Sequence, residues 1–380
     1  MLKKIYILAG EASGDLHGAN LIRHLRTESS TPLEIYGVGG DRIKETGVRN
    51  FFDLAHFHVT GFTEAVKRLP QYKQAARTIL QDIRDVRPDL VVLIDNPGFN
   101  FHIAEKVHAL GIPIVYYISP QLWAWAPKRI FKMKRFAKKV LVVFEFEKKL
   151  YEDHGIPVAW VGHPLKDLVQ VEAKPETVRT SWGLKEGQKL VALLPGSRKS
   201  ELEMLFDVFM RTAQLISERL PDTAFALIKS PTLPRAFYEE LLKKYKVQVR
   251  LVEENSYAVI RASDLALACS GTATLECALL ETPLMIAYKS TLVTFLIAKT
   301  LVKVPFVGLP NLILGEKRIP EFLQYNATPE KISQSALELL TDPAALKNMR
   351  EELKKVSRNL GEGGANQKAA IETLKVLSEL

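Results

Sequence analysis

The sequence predicts an α/β protein of two domains, each with a parallel β-sheet covered by helices on both faces. Short apolar runs alternate with amphipathic stretches, as expected when strands and helices follow one another along the chain. The apolar runs are nearly continuous, which is typical of strands in a parallel sheet that is buried on both faces. This rhythm breaks at Gly162–Pro175 and then restarts, and 380 residues are too many for one ordinary core.

Nine apolar runs are predicted as strands, in two series. The first series is Ile5–Ala9, Asp89–Ile94, Pro113–Ile118 and Lys139–Phe144. The second series is Lys189–Leu194, Ala224–Ile228, Val249–Val252, Asp264–Ala268 and Pro283–Ala287. From about Pro329 the tail is charged and helical, without a strand signal.

The domain boundaries follow from these series. We expect domains at 1–165 and 176–340, with Gly162–Pro175 as a hinge. C-terminal helices would occupy 341–380, and packing against the first domain is one option for them. Because ligands of such sheets bind at the carboxyl ends of the strands, chemistry is expected in a cleft between the two facing domains.

Charge and cysteine content narrow the class of protein. The net charge of +9 and the pI of about 9.3 favour anionic partners: nucleic acid, phosphorylated substrates or an acidic membrane surface. Cys269 and Cys277 lie in apolar sequence without a CxxC pattern, which indicates buried, reduced thiols. The first apolar run ends at Gly10, too soon for a signal peptide, and no stretch approaches the roughly 20 apolar residues of a membrane span. We expect a cytoplasmic protein, soluble or lying on a membrane surface.

Two motifs of the first half follow predicted strands. Gly10–Asp15 lets the backbone approach a ligand, and the helix that it opens favours an anion. The alternative is a tight turn in which Asp15 complements the helix dipole. Asp95 follows the second strand, where burial would raise the pKa of a carboxyl group and make it a better general base. The alternative is that Asp95 caps the following helix.

Two motifs of the second half are suited to a nucleoside diphosphate. Gly196-Ser197-Arg198 combines a helix start with a guanidinium fork for phosphate, although Arg198 could instead pair with Glu201. Ser270-Gly271-Thr272 also opens a helix, and Glu276 lies about one turn further on, where a carboxylate can accept from both hydroxyls of a ribose. The sequence has no Walker lysine pattern, HExxH, GxSxG or zinc-spaced Cys/His cluster. We therefore expect no metal and no cofactor, with the diphosphate neutralised by Arg198 and helix dipoles.

Two segments are suited to a membrane surface. In the first, basic residues recur at helical spacing after two tryptophans, as at an interface with anionic lipid. They are Lys128, Lys132, Arg135 and Lys139, and the tryptophans are Trp123 and Trp125. A solvated basic helix with buried tryptophans is the alternative, and no nucleic-acid-binding motif accompanies the run. In the second segment, Phe57–Tyr72, the residues Phe62, Val66 and Leu69 could form an apolar face for acyl chains or pack in the core.

Seven motifs follow one another in order over nearly the whole chain. They are Gly10-Glu11-Ala12-Ser13-Gly14-Asp15, Ile94-Asp95-x-Pro97-x-Phe99-Asn100, Ser119-Pro120-Gln121-Leu122-Trp123-Ala124-Trp125, Val161-Gly162-His163-Pro164, Leu194-Pro195-Gly196-Ser197-Arg198, Ser270-Gly271-Thr272 through Glu276, and Leu309-Pro310-Asn311-Leu312. Together they resemble the lipid A disaccharide synthase family.

The resemblance implies the GT-B fold, two Rossmann-like domains facing across a cleft, and an inverting UDP-sugar glycosyltransferase. The implied donor is UDP-2,3-diacylglucosamine and the implied acceptor is 2,3-diacylglucosamine 1-phosphate (lipid X). The products would be the β-1,6-linked disaccharide 1-phosphate and UDP. The family works without a metal on the cytoplasmic face of the inner membrane, so an anionic lipid surface is an expected partner and nucleic acid is not. The oligomeric state is left open, with a homodimer as one option.

By the same matching, Asp95 would be the general base, Arg198 would meet the diphosphate and Glu276 the ribose. Asn311 would lie near the nucleotide sugar. Glu11, Ser13 and Gly14 are expected in the substrate cleft. The alternatives are another UDP-sugar enzyme of this fold, namely a UDP-N-acetylglucosamine 2-epimerase or a peptidoglycan-precursor N-acetylglucosaminyltransferase, or a non-catalytic protein that binds nucleotide or lipid at a membrane surface.

Overall fold

The chain forms two structural units. The computed structural model describes residues 2–10, 12–53, 69–291, 295 and 304–380, and gives only the backbone of residues 12, 50–53, 69 and 125. The first unit consists of Met1–Pro164 and Leu360–Leu380, and the second of Leu165–Asn359. The chain thus passes from one unit to the other at the start of the segment expected as a hinge, and residues 341–359 of the expected C-terminal helices belong to the second unit.

The first unit contains a parallel sheet of seven strands within its described residues. The strands are β1 (Lys3–Ala9), β2 (Leu33–Gly39), β3 (Arg49–Asp53), β4 (Leu90–Ile94), β5 (Ile114–Tyr117), β6 (Ala137–Val142) and β7 (Val158–Trp160). Their order is β3-β2-β1-β4-β5-β6-β7. The order reverses between β1 and β4, and these two strands pair in parallel with Ala9 opposite Ile94.

Helices of the first unit follow most of these strands. They are α1 (Ala12–Glu28), α2 (Asp41–Glu45), α3 (Leu69–Val86), α4 (Pro97–Ala109), α5 (Leu122–Trp125), α6 (Ile130–Phe136) and α7 (Glu145–Glu152). The apolar residues of β1 and β4 are fully buried, as expected for a sheet covered on both faces. A single basic helix through Lys139 was expected and is wrong, because α6 ends at Phe136 and Lys139 lies in β6, where it pairs with Glu372.

The second unit repeats this architecture with six strands among its described residues. They are β8 (Leu190–Leu194), β9 (Ala224–Ile228), β10 (Arg250–Val252), β11 (Leu265–Cys269), β12 (Leu284–Tyr288) and β13 (Glu321–Leu323). The order β10-β9-β8-β11-β12-β13 reverses between β8 and β11, and every strand pair is parallel. Cys269 and Cys277 are buried free thiols, as predicted.

Helices of the second unit complete its layers. They are α8 (Leu165–Leu168), α9 (Pro175–Ser181), α10 (Lys199–Arg219), α11 (Arg235–Leu242), α12 (Ser256–Ala262), α13 (Thr272–Leu279), α14 (Leu309–Leu314), α15 (Pro329–Thr341) and α16 (Pro343–Asn359). The last helix, α17 (Ala365–Ser378), returns to the first unit and packs against α1. Its Asn366 Oδ1 accepts a hydrogen bond from the hydroxyl group of Tyr117 at 3.0 Å.

The α/β class with two parallel sheets and a helical C-terminus is confirmed. All nine runs predicted as strands are strands, with ends shifted by at most two residues. Four strands, β2, β3, β7 and β13, carry too short or too mixed an apolar pattern to be recognised. Across the described residues, no helix combines the length and the apolar character that a bilayer span requires.

Candidate active site

In the first unit, the loops after β1 and β4 emerge side by side at the point where the strand order reverses. Ala9 and Ile94 are register partners, so Gly10 and Asp95 follow them at the same edge of the sheet. A Cβ atom on Gly10 would lie 2.3 Å from Asn96 Nδ2, which explains why this position carries glycine. In open α/β sheets this is the place where ligands bind.

Asp95 lies in a turn that its neighbours fix firmly. Asp95 and Asn96 both have left-handed backbones, with φ of 48° and 42°, a conformation that Asp and Asn tolerate better than most residues. The carbonyl oxygen of Asp95 accepts from the Tyr116 hydroxyl group at 2.6 Å and from Asn100 Nδ2 at 2.7 Å. The cap of α4 is Asn96, whose side chain accepts from the Phe99 N–H at 3.5 Å, so the helix does not require the Asp95 carboxylate as its cap.

The Gly10–Asp15 motif is only partly described. Glu11 lies outside the described residues. Ser13 is exposed and Gly14 is buried in the first turn of α1. Asp15 accepts from the backbone N–H groups of Gly40 at 2.8 Å and Ile43 at 3.0 Å. Asp15 therefore lies in the first turn of its own helix, where its charge complements the dipole, and its carboxylate also caps the start of α2.

In the second unit, two loops flank the reversal of the strand order. Leu194 of β8 and Ala268 of β11 are register partners, so Gly196-Ser197-Arg198 and Ser270-Gly271-Thr272 leave the same edge of adjacent strands. The pKa of Cys269 is raised to about 12, mainly by burial. The charge of Glu201 contributes to this rise, and the charge of Arg198 opposes it. These electrostatic effects indicate that the loop after β8 lies close to the end of β11.

Glu201 occupies the start of α10. Its Oε2 accepts from the backbone N–H groups of Ser197 at 2.8 Å and Arg198 at 3.2 Å, and its Oε1 accepts from Arg198 Nη1 at 3.2 Å. Gly196 has φ of 131°, and a Cβ atom there would lie 2.5 Å from Glu201 Cβ. The alternative raised from sequence, that Arg198 pairs with Glu201, is the arrangement in this structure.

Glu276 lies on α13, which begins at Thr272 with Gly271 as its N-cap residue. Its Oε1 accepts from the hydroxyl group of Tyr257 at 3.3 Å. Burial raises the pKa of Glu276, and the hydrogen bond from Tyr257 opposes that shift. The hydroxyl group of Ser270 donates to the carbonyl oxygen of Val307 at 3.1 Å, which ties the start of α13 to the segment before α14.

Asn311 is fully buried and its amide is saturated. Its Nδ2 donates to the carbonyl oxygen of Ile319 and to Glu321 Oε1, both at 2.8 Å. Its Oδ1 accepts from the backbone N–H groups of Arg318 at 2.9 Å and Ile319 at 2.8 Å. A side-chain amide has two donor hydrogens and two acceptor lone pairs, so a direct hydrogen bond to a ligand would have to replace one of these contacts.

The tryptophan and basic segment combines a buried and an exposed part. Trp123 Nε1 donates to Oε1 of the fully buried Glu147 at 3.0 Å, and burial raises the pKa of Glu147 to about 7. Lys132 and Arg135 share the carboxylate of Glu105, at 2.9 and 3.4 Å. Phe62, Val66 and the side chains of Leu69 and Trp125 lie outside the described residues.

Two residues of interest, Tyr257 and Glu147, are absent from the sequence-based predictions. No sequence signal identifies them, because their roles depend on partners 19 and 24 residues away along the chain. Phe131, which lies within the basic run expected at a membrane surface, is 65% exposed at the start of α6.

Comparisons with known proteins identify the family of this chain. The profile of the lipid-A-disaccharide synthetase family matches residues 5–374. The lipid-A-disaccharide synthase of Geobacter sulfurreducens is 37% identical over 376 residues, which cover 99% of this chain and 98% of that protein. The corresponding enzyme of Syntrophus aciditrophicus is also 37% identical, over 378 residues that cover 99% of this chain and 98% of that protein.

The chain belongs to the lipid-A-disaccharide synthetase family. It is an enzyme, a glycosyltransferase with the activity of a lipid-A-disaccharide synthase. The family assignment favours the main prediction over all three alternatives: the epimerase, the peptidoglycan-precursor N-acetylglucosaminyltransferase and the non-catalytic protein.

Solved structures show the fold of this family member. A putative UDP-N-acetylglucosamine 2-epimerase from Listeria monocytogenes superimposes with a TM-score of 0.66 at 13% identity, covering 100% of this chain and 98% of its own. The UDP-GlcNAc 2-epimerase of Neisseria meningitidis bound to UDP-GlcNAc gives 0.64 at 14% identity, covering 99% of this chain and 100% of its own. At such identities the likeness demonstrates the GT-B architecture and nothing about the reaction.

Proposed function

We propose that this chain transfers 2,3-diacylglucosamine from UDP-2,3-diacylglucosamine to 2,3-diacylglucosamine 1-phosphate, forming the β-1,6-linked disaccharide 1-phosphate and UDP with inversion. One observation carries the residue assignment. In each unit, the motifs singled out from sequence follow the two strands between which the strand order reverses, β1 with β4 and β8 with β11. This is where open α/β sheets bind ligands.

Asp95 is the general base of the proposed reaction. The primary hydroxyl group of the acceptor attacks the anomeric carbon of the donor from the face opposite UDP, and Asp95 takes the hydroxyl proton. The bond from the anomeric carbon to the diphosphate breaks as the new glycosidic bond forms. A base contributes only when it is held in position, and Tyr116 and Asn100 hold the backbone of Asp95.

The second unit stabilises the departing UDP. Gly196, Ser197 and Arg198 place backbone N–H groups and a guanidinium at the start of α10, where Glu201 accepts from Ser197 and Arg198 and must release them to the diphosphate. Ser270, Gly271 and Thr272 offer a second helix start on the neighbouring strand. Preorganised donors of this kind stabilise negative charge that develops in a transition state.

The nucleoside part of the donor is assigned to the same unit. Glu276 accepts from the ribose hydroxyl groups. Asn311 acts through the segment that it organises, because Glu321 accepts from both Asn311 and the Gly308 N–H, and this fixes the backbone beside Ser270. Ser13 and Gly14, with Glu11, belong to the substrate side of the first unit.

Because its substrates carry acyl chains, the enzyme acts at a membrane surface. Each buried CH₂ contributes about 0.8 kcal/mol, so the substrates stay in the bilayer and the enzyme must come to them. The exposed Phe131 ring and the neighbouring Lys128, Lys132 and Arg135 form a surface suited to anionic lipid. We assign this surface to the cytoplasmic face of the inner membrane, with Trp123 and Trp125 beside it.

The test is a product assay. The protein is incubated with the UDP-linked donor and the 1-phosphate acceptor, and the products are identified by mass spectrometry. We expect the disaccharide 1-phosphate and one UDP per disaccharide, only when both substrates are present. Conversion of the nucleotide sugar without acceptor would instead indicate an epimerase, and UDP binding without turnover would contradict the proposal.

A further inference from the structure

The Glu276 carboxylate has one neighbour that shapes its chemistry. The hydroxyl group of Tyr257, on α12, donates to Glu276 Oε1 at 3.3 Å. Among the described residues, Tyr257 is the only hydrogen-bond partner of this carboxylate, and no cation lies within ion-pair distance of it. Glu276 and the adjacent Cys277 are both largely shielded from solvent.

A buried carboxyl group without a cation tends to take up a proton. Desolvation raises the pKa of Glu276, and the hydrogen bond from Tyr257 is the cause that lowers it. A donor that binds the charged form favours that form. The ionised form is also the one that a ribose requires, because a protonated carboxyl group loses acceptor capacity and gains a donor.

The geometry points to Tyr257 as a positioning residue that orients the Glu276 carboxylate to accept from a ribose diol. This inference rests on the proposed function, since it assigns a residue that positions Glu276 in the nucleoside site. It makes Tyr257 a determinant of selectivity for a diol over a deoxy sugar. Tyr257 itself acts through Glu276 and touches no reacting atom.

The test compares two nucleotides in calorimetric titrations of the full chain. The probes are UDP and 2′,3′-dideoxyuridine diphosphate, and the variants are Tyr257→Phe and Glu276→Gln. The matched control is Tyr245→Phe, because Tyr245 donates to the carboxylate of Asp207 at 2.8 Å elsewhere in the same unit. Each variant loses only one hydroxyl group or one charge, and circular dichroism checks that it is folded.

We expect Tyr257→Phe to weaken UDP binding about fivefold, roughly the loss of one hydrogen bond between Glu276 and the ribose, with little change for the dideoxy nucleotide. Glu276→Gln would behave in the same way, and Tyr245→Phe would change neither affinity. The loss in Tyr257→Phe should grow as the pH falls, because the carboxyl group takes up its proton at a higher pH once the phenol is gone.

If Tyr257→Phe leaves the ratio of the two affinities unchanged, whether or not both affinities fall, the inference is overturned and the proposed function stands. If the unaltered protein binds neither nucleotide, the proposed function and the inference both fail. If the unaltered protein binds both nucleotides equally, Glu276 does not bind the ribose diol, and the inference about Tyr257 fails as well.

Discussion

The carboxylate of Glu201 accepts a hydrogen bond from the backbone N–H of Ser197 at 2.8 Å, so a side-chain anion of the protein covers the start of α10. The same carboxylate contacts the Arg198 guanidinium at 3.2 Å. A diphosphate bound here would require those donors. Glu201 therefore accepts from the N–H groups at the start of α10 that have no partner within the helix, and its negative charge repels a second anion at the same place.

Glu201→Gln should bind UDP more tightly and be less stable. Removing a like charge next to the bound diphosphate is expected to gain about fivefold in affinity, a modest value because Arg198 is largely exposed. Loss of the charged cap should lower the free energy of unfolding by about 1 kcal/mol. Calorimetric titration and thermal denaturation measure the two effects. The control is Glu203→Gln, an exposed carboxylate on the same helix. Weaker UDP binding would mean that Glu201 orients Arg198 instead of competing for it.

Asp95→Asn should retain the fold and lose turnover. Asparagine fits the left-handed backbone at this position, so the melting temperature should stay close to that of the unaltered protein. The rate of disaccharide formation should fall by about 10²–10⁴-fold, the usual contribution of a general base, while UDP affinity is unchanged. Asp85→Asn, on the outer face of α3, is the control. Near-normal turnover by a folded Asp95→Asn protein would show that the base is another group.

Neutralising the basic surface around α6 should weaken binding to anionic vesicles. Each basic residue near such a surface contributes about 1 kcal/mol, and Lys132 and Arg135 should contribute less than Lys128 because they share Glu105. Phe131→Ser should also weaken binding, because the exposed ring would lose its insertion into lipid. Vesicle co-sedimentation at low and high salt measures both effects, with the exposed Lys246→Gln of the second unit as control. Binding that is insensitive to salt would contradict the electrostatic part.

Glu147 should make the folded protein less stable as the pH rises from about 4.5 to about 7. Burial raises the pKa of Glu147 from the ordinary 4.5 to about 7, so in this window the unfolded chain is ionised while the folded protein keeps the proton. The contribution of Glu147 to the free energy of unfolding is fully present below pH 4.5 and is lost by pH 7, up to about 3 kcal/mol. Glu147→Gln should therefore flatten this part of the stability profile.

The Glu147 measurement needs one comparison. Burial, and to a lesser extent the charge of Arg42, lower the pKa of His17 to about 4, so its contribution is lost in the opposite direction, as the pH falls from 6.5 to 4. Chemical denaturation across the pH range should therefore be analysed as the difference between the Glu147→Gln variant and the unaltered protein. A difference that does not change with pH would show that Glu147 is ionised in the folded protein at all of these pH values.

Asn311→Ala should destabilise the second unit by about 3 kcal/mol or more. The change leaves the buried N–H group and carbonyl oxygen of Ile319, and the partly buried N–H group of Arg318, without their partner, and each unmet buried group costs about 1–3 kcal/mol. Urea denaturation measures the loss. Gln334→Ala, which removes an exposed amide on α15, should have almost no effect. A stable Asn311→Ala protein with lost UDP binding would instead point to direct ligand contact.

The placement of the main motifs could be predicted from the sequence because it depends on local patterns. A nearly continuous apolar run such as Leu90–Ile94 identifies a buried parallel strand, and the polar residue that follows it lies at the carboxyl edge of the sheet. Asp95, Arg198 and Ser270 were located in this way. The ends of the strands were less certain, because a buried run and a hydrogen-bonded ladder need not stop at the same residue.

What each side chain contacts could not be predicted. Asp15 lies in the first turn of its own helix, but the fold also brings Gly40 and Ile43 to its carboxylate, so that it caps α2. Asn311 was expected near the nucleotide sugar, yet its amide is saturated by residues 318–321. Lys139 continues the helical spacing of the basic residues, but it lies in strand β6, where that spacing does not place side chains on one face.

The amino-acid sequence by itself determined the two parallel sheets, the edge at which their motifs lie, and the family to which the chain belongs, because hydrophobic period and motif order are properties of neighbouring residues. The tertiary structure alone decided that Glu201 covers the start of α10, that Tyr257 donates to Glu276, and that Glu147 is buried beside Trp123. These relationships set the charge and protonation of each group. They depend on which residues folding brings within about 3 Å of one another, a distance that spacing along the chain does not encode.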